Sequence, residues 1–383
     1  MRFSSAFAVL RCRCKRRPSV SFSHRRCFSS YPPPRPSFGI AFDIDGVLIR
    51  GQTPIAGAPE ALRRLYSDSG GLKVPFLFLT NGGGVRESKR AKELSLQLGI
   101  NILHQQVLQG HTPFKDLANR FKEGLVIAVG KGEPADVMLE YGFKNVLSID
   151  EYASYFDGID PLSPYKTWKT RSMIDKGEKE PCKPPHTRNV FSERVEAAFV
   201  VSDPVDWGRD IQVLCDVLRS GGLPGRENSH QPPLFFANDD LEYQAVFPTN
   251  RLGMGAYRIA LEAIFNRIHD NALEYTCFGK PNPSVFRNAE NILSHLPCCP
   301  NVEPYKGNST ITGTHLFKTI YMVGDNPAVD ISGARQAGHP WFSILTRTGV
   351  FKGKENDPQF PADLVVDNVG DAVDYILRQE GFV

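Results

Sequence analysis

The chain has 383 residues, 41% hydrophobic and 23% charged, which suits two domains with a substantial core and an ordinary globular composition. Its formal charge of +3 misleads: residues 1–37 carry nine basic side chains and no acid, so residues 38–383 hold six more acids than bases. A nucleic-acid binder is therefore not indicated, and no apolar run approaches the ~18 residues of a membrane helix.

Residues 1–28 are rich in Arg and Ser and free of acids, the composition of a mitochondrial transit peptide. Arg26-Cys27-Phe28-Ser29 resembles a matrix-peptidase site cut after Phe28. A disordered basic arm has the same composition. Residues 29–37, proline-rich, read as an extended linker. Cys12, Cys14 and Cys27 lie in this leading segment, and the five other cysteines form no C-x-x-C pair. That argues against a disulfide framework or a zinc site.

From Phe38 an apolar run leads into Asp43-Ile44-Asp45-Gly46. The run reads as a buried parallel strand, and its period of two starts Asp43 and Asp45 on one face. Gly46 permits a sharp turn. A helix follows at 58–67, then a strand at 74–79 ending in Thr80-Asn81-Gly82-Gly83-Gly84. A hydroxyl, an amide and three glycines make a phosphate cradle or a plain turn. Helices follow at 86–98, stopped by Gly99, and at 113–121. Residues 38–121 form the first part of a core.

A second domain is expected at 122–250. It holds a strand at 125–129, the loop Gly130-Lys131-Gly132, a helix at 134–141, a strand at 197–201 and a helix at 209–220. A strand at 234–237 ends in Asn238-Asp239-Asp240. Residues 161–193, polar and aperiodic, read as a surface insertion. From 251 to 383 the chain returns to the core, beginning with a long helix at 253–268. Cys277-Phe278-Gly279-Lys280-Pro281 precedes a helix with Ser284 as N-cap. A second insertion spans 295–318. A strand at 319–323 then runs into Gly324-Asp325-Asn326-Pro327-Ala328-Val329-Asp330, followed by a helix at 331–337, strands at 341–346 and 364–366, and a helix at 369–378. Alternating strands and helices predict an α/β fold, a Rossmann-like doubly wound parallel sheet with an inserted α/β domain.

Four predicted strand ends thus carry Asp43/Asp45, Thr80, Lys280 and Asp325/Asp330. The acids suit a hard cation such as Mg2+. A lysine and a hydroxyl suit a phosphoryl group, and a carboxylate beside the cation can act as nucleophile. D-I-D-G-V-L, L-T-N, G-K-P and G-D-N-P-A-V-D, in that order, resemble the four motifs of the haloacid dehalogenase superfamily. The 200 residues between Thr80 and Lys280 leave room for an α/β cap, as in the subfamily with the large cap of that type, IIA. The Arg251–Tyr257 stretch, R-L-G-M-G-A-Y, and the leader are similar to a mitochondrial group within it. Some fungal members accompany, or are fused to, phosphatidyltransferases of glycerophospholipid synthesis.

The resemblance implies a Mg2+-dependent phosphatase of small phosphorylated metabolites. Asp43 would be nucleophile and Asp45 general acid and base. Asp43, the Asp45 carbonyl and Asp325 would hold the metal, with Asp330 and Asn326 behind them. Thr80 and Lys280 would bind the phosphoryl oxygens, with Asn81 and Gly82 adding backbone donors. Asp330 could equally cap the helix at 331, and Lys280 could be a surface lysine before a proline turn. Asn238 and Asp239 lie where relatives place loops that read the substrate, or in a polar turn. A homodimer through the cap is a further expectation. A dehalogenase would lack the second aspartate. The competing reading is a weakly catalytic or non-catalytic binding subunit of a mitochondrial lipid-synthesis enzyme, motivated by the two long insertions.

Overall fold

The computed structural model describes residues 36–166, 190–226, 229–298 and 316–382. The leader at 1–28, most of the linker at 29–37, and the centres of both insertions lie outside the described residues. The opening strand Phe38–Phe42 is wholly buried and sits inside a six-stranded parallel sheet. In spatial order the strands are Leu364–Val366, Trp341–Thr346, Thr319–Gly324, Phe38–Phe42, Phe76–Leu79 and Val107–Leu108. Alternate residues feed two apolar clusters. Ile40, Phe42, Phe76 and Phe78 face one layer with Val373 and Ile376. Ala41, Leu77 and Met322 face the other with Phe286 and Leu293. Burial on both faces is why these strands read as continuous apolar runs.

A second parallel sheet of five strands forms the inserted cap, in the order Thr276–Cys277, Leu234–Phe236, Val195–Val200, Leu125–Val129 and Asn145–Ser148. Its core is aromatic: Phe199 stacks on Phe235 at 4.9 Å between centroids and meets the edges of Phe114, Phe121 and Phe143. The domain limits differ from the expected ones. Phe114 and Phe121 belong to this cap cluster. The stretch around 113–121 is a 3-10 turn, Thr112–Leu117, not an α-helix. The helix Met254–Ile268, expected to return to the core, buries Met254, Tyr257, Leu261 and Phe265 in the cap instead. The cap therefore runs from about residue 110 to about residue 278. Thr276–Cys277 is two residues long, too short to show any period.

Smaller differences have local causes. The helix expected at 58–67 stops at Arg63, and Tyr66 instead bridges Leu72 in a tight antiparallel return. Asn282, not Ser284, caps the helix Pro283–Ser294: its side chain accepts from the Ser284 N–H at 3.0 Å, and Pro283 takes the first helical position.

Core and cap are joined at a buried polar knot. Glu87 opens the core helix Glu87–Leu98 and accepts from Tyr141 Oη at 2.6 Å, Thr112 Oγ1 at 3.0 Å and Lys115 Nζ at 3.0 Å. Because Tyr141 donates its proton to Glu87, His111 donates from Nδ1 to the tyrosine oxygen at 2.7 Å. Its Nε2 has no partner among the described residues. Burial presses the His111 pKa from 6.5 down to about 4. The unfolded chain thus takes up that proton first, and stability is lost as pH falls from about 6.5 to about 4. Urea unfolding across that range should show up to about 3 kcal/mol of loss from this group. The His111→Asn protein should lack that part of the slope.

Candidate active site

Asp43 continues the opening strand, its N–H donating to Val323 O at 2.9 Å. The chain then turns at Gly46, whose φ of 88° and close approach favour glycine; a Cβ there would lie 2.6 Å from Asp325 Oδ2. Asp325 ends the neighbouring strand Thr319–Gly324 and accepts from Val350 N–H at 2.6 Å. Lys280 arrives from the cap-to-core return and is 2% exposed. Its Nζ donates to Asp43 Oδ1 at 2.7 Å and to Asp330 Oδ1 at 2.6 Å. The second oxygen of Asp330 accepts from the N–H groups of Asp325 and Asn326 at 3.1 and 3.0 Å. Asp330 thus braces the loop that presents Asp325. The helix-cap role falls to Asn326, whose side chain accepts from Ala328 N–H.

Carboxylate oxygens of Asp43, Asp325 and Asp330 lie within 4.8 Å of one another. Three buried acids face one ammonium, and the imbalance shows in the proton affinities of Asp43 and Asp325. Burial lifts Asp43 well above the usual carboxylate range. Burial, then repulsion by Asp330, lifts Asp325 to about 8. Desolvation opposes the charge on Lys280, but Asp330 and Asp43 outweigh it and hold the amine protonated. An oxygen-only donor set with excess negative charge fits a hard divalent cation such as Mg2+. Such an ion would fall to Asp43 and Asp325, because both oxygens of Asp330 are engaged by Lys280 and two backbone N–H groups.

Asp45, Thr80, Asn81, Gly82, Lys280, Asn238, Asp325, Asn326 and Asp330 all reach a hollow of about 120 Å3 with Asp43. Several of them also bond one another. The Gly82 N–H donates to Thr80 Oγ1 at 3.0 Å. Asn81 is a clamp: its Nδ2 donates to Asp240 Oδ1 at 2.8 Å and to Lys280 O at 3.0 Å, while its Oδ1 accepts from Lys280 N–H at 2.8 Å. Asn238 completes it, donating to Asn81 O at 2.8 Å. Asp239 does not line the hollow; it turns outward to Arg258, which bonds it at 2.6 Å. Asp240 lines the hollow in its place, and burial raises its pKa to about 7.

Lys131, Ser202, Asp203, Tyr243 and Gln244 also line the hollow and were not anticipated. The Gly-Lys-Gly loop after a strand was a signal for Lys131. Tyr243 and Gln244 lie in or beside a hairpin of two-residue strands, Glu242–Tyr243 and Arg251–Leu252, which leaves no periodic trace.

The sequence profile of haloacid dehalogenase-like hydrolases matches residues 40–144, and a HAD-hydrolase-like profile matches residues 277–372. A mitochondrial hydrolase of Saccharomyces cerevisiae is 32% identical over 88% of this chain and 95% of its own. A cardiolipin synthase (CMP-forming)/mitochondrial hydrolase fusion protein of Schizosaccharomyces pombe is 34% identical over 92% of this chain, which spans 55% of the fusion. A phospholysine phosphohistidine inorganic pyrophosphate phosphatase of Mus musculus is 32% identical over 89% of this chain and 94% of its own. Among solved structures, a hypothetical protein of Pyrococcus horikoshii shares the fold with a TM-score of 0.56 at 21% identity, over 88% of this chain and 99% of its own. A glycerol phosphate phosphatase of Mycobacterium tuberculosis, solved with calcium, has a TM-score of 0.53 at 17% identity, over 87% of this chain and 73% of its own.

The charge imbalance has a thermodynamic consequence. Mg2+ at about 100 times its Kd should stabilise the wild-type protein by about 2.7 kcal/mol in calorimetry. Asp325→Asn should abolish that gain, yet be neutral or stabilising in metal-free buffer, where it removes one of the crowded acids.

Proposed function

The chain belongs to the haloacid dehalogenase-like hydrolases, and on that premise we propose a Mg2+-dependent phosphomonoesterase working through an aspartyl-phosphate on Asp43. The observation that carries it is Lys280 bridging Asp43 and Asp330 beside Asp325, at the ends of two adjacent parallel strands. A carboxylate oxygen of Asp43 attacks phosphorus in line, and the bond to the leaving oxygen breaks. Asp45, whose proton affinity is raised by desolvation against the pull of Arg90 and Lys131, gives that oxygen its proton. It then takes a proton from the water that hydrolyses the aspartyl-phosphate. Lys280 and Thr80 hold the phosphoryl oxygens, Lys280 countering their charge as it shifts. The bound divalent cation would supply further neutralisation of phosphoryl charge, held by Asp43, Asp325 and the Asp45 carbonyl.

The substrate is a small phosphorylated metabolite. The yeast relative's name and the acid-free leader support a mitochondrial place. The fused synthase in the fission-yeast relative supports a link to mitochondrial glycerophospholipid metabolism. It equally favours the second reading, a binding subunit of a lipid-synthesis enzyme with little turnover of its own.

Purified protein with Mg2+ and an aryl phosphate separates the two. Asp43→Asn should reduce hydrolysis to background, and Asp45→Asn should lower kcat by roughly 10²–10⁴-fold. Single turnover in H₂¹⁸O, followed by proteolysis and mass spectrometry, should find no label in Asp43, because the second-step water attacks phosphorus. Absence of turnover across a metabolite panel, with partner capture intact, would leave only the binding subunit.

A further inference from the structure

Asp45 also lines a second, neighbouring chamber of about 400 Å3. Thr80, Lys131 and Tyr243 line both spaces. Of the four site aspartates and Lys280, Asp45 alone reaches the second chamber. A phosphoryl group seated against Asp43 and Lys280 would therefore have its leaving oxygen at Asp45 and the rest of the leaving alcohol in this second space.

Two cations line that chamber. Arg90 comes from the core helix Glu87–Leu98, and its side chain is only 17% exposed. Among the described residues its guanidinium makes a single hydrogen bond, Nη1 to Glu93 Oε2 at 3.5 Å, the far limit of such a bond. A guanidinium has five N–H donors in a planar fork, so most of this fork is unengaged. Lys131 comes from the cap, its Nζ on Asp203 at 2.8 Å and 5.5 Å from the Tyr243 ring centre. The loop carrying it is pinned to the core's glycine loop by Glu133 N–H to Gly84 O at 2.7 Å, and Ser202 Oγ donates to Lys131 O at 2.7 Å. Although it belongs to the cap, Lys131 is thus held in place against the core.

We propose that Arg90, with Lys131 on the facing domain, sets specificity by receiving an anionic group carried on the leaving alcohol. Preferred substrates are then small phosphomonoesters that also bear a carboxylate or a second phosphoryl group. Neutral polyol and aryl esters would be poorer. The guanidinium fork matches either anion bidentately. The inference rests on the phosphatase reading above and deepens it.

The test compares kcat/KM within matched pairs: 3-phosphoglycerate against glycerol 3-phosphate, and fructose 1,6-bisphosphate against fructose 6-phosphate. The two pairs separate carboxylate from phosphoryl recognition. Wild type should favour the more anionic member of at least one pair by roughly ten- to hundredfold. Arg90→Gln should collapse that ratio toward one, chiefly through KM, and Arg90→Lys should recover part of it. A ratio near one in wild type, or one unchanged in Arg90→Gln, overturns the proposal. If no ester is turned over, the phosphatase reading fails separately. Calorimetric titration of Asp43→Asn then decides the inference. Tighter, Arg90-dependent binding of 3-phosphoglycerate than of glycerol 3-phosphate sustains it, and equal binding overturns it.

Discussion

Three carboxylates buried around a single ammonium is the constraint on which the site depends. In water such a cluster would drift apart; here each member is fixed by backbone. Asp43 is held in the sheet through Val323, Asp325 by the Val350 N–H, and Asp330 by two N–H groups of its own loop. Among the described residues the Lys280 ammonium donates two hydrogen bonds, to the carboxylates of Asp43 and Asp330. With all three acids ionised the cluster would carry an uncompensated negative charge, unfavourable in a low-dielectric interior, and the raised proton affinities of Asp43 and Asp325 reflect that cost. That cost is offset by two well-packed apolar layers flanking the strands that deliver the acids. Stability and binding capacity are therefore in tension at this point, as is common where a site is built to receive a cation.

The cap is more than a cover. It enters after Gln109 and leaves near Phe278, so both crossings lie beside the strand ends that carry Thr80 and Lys280. Glu87 secures one crossing with a tyrosine, a threonine and a lysine. Asn81 secures the other through Lys280, Asp240 and Asn238. The cap loops bearing Lys131 and Tyr243 thereby sit over the core at set positions, and the hollow between them is polar on every side that the chemistry uses.

What could be read from the sequence follows from element length and from what buries it. The sheet was legible because its strands are apolar on both faces and end abruptly in acids or a hydroxyl. The cap limits were not, since they depend on which sheet the face of Met254–Ile268 meets and on a strand of two residues. At Asn238-Asp239-Asp240 the composition announced a polar turn. Which carboxylate points inward depends on backbone direction, and a shift of one residue reverses it: Asp239 meets Arg258, and Asp240 meets Asn81. Asn81 was expected to offer its backbone N–H to a phosphoryl group, and the bonds of its side chain were not anticipated. Those bonds of its amide are tertiary contacts that no local pattern encodes.

That one amide joins the lysine's main chain to an acid of the cap. The two halves of the molecule consequently share a lever. A displacement of the Asp240 loop would be felt, through this one planar amide, by the backbone beneath the ammonium. Grip on the distal part of a molecule and alignment of its reacting end are thereby geared together, with no need for the sheet itself to deform.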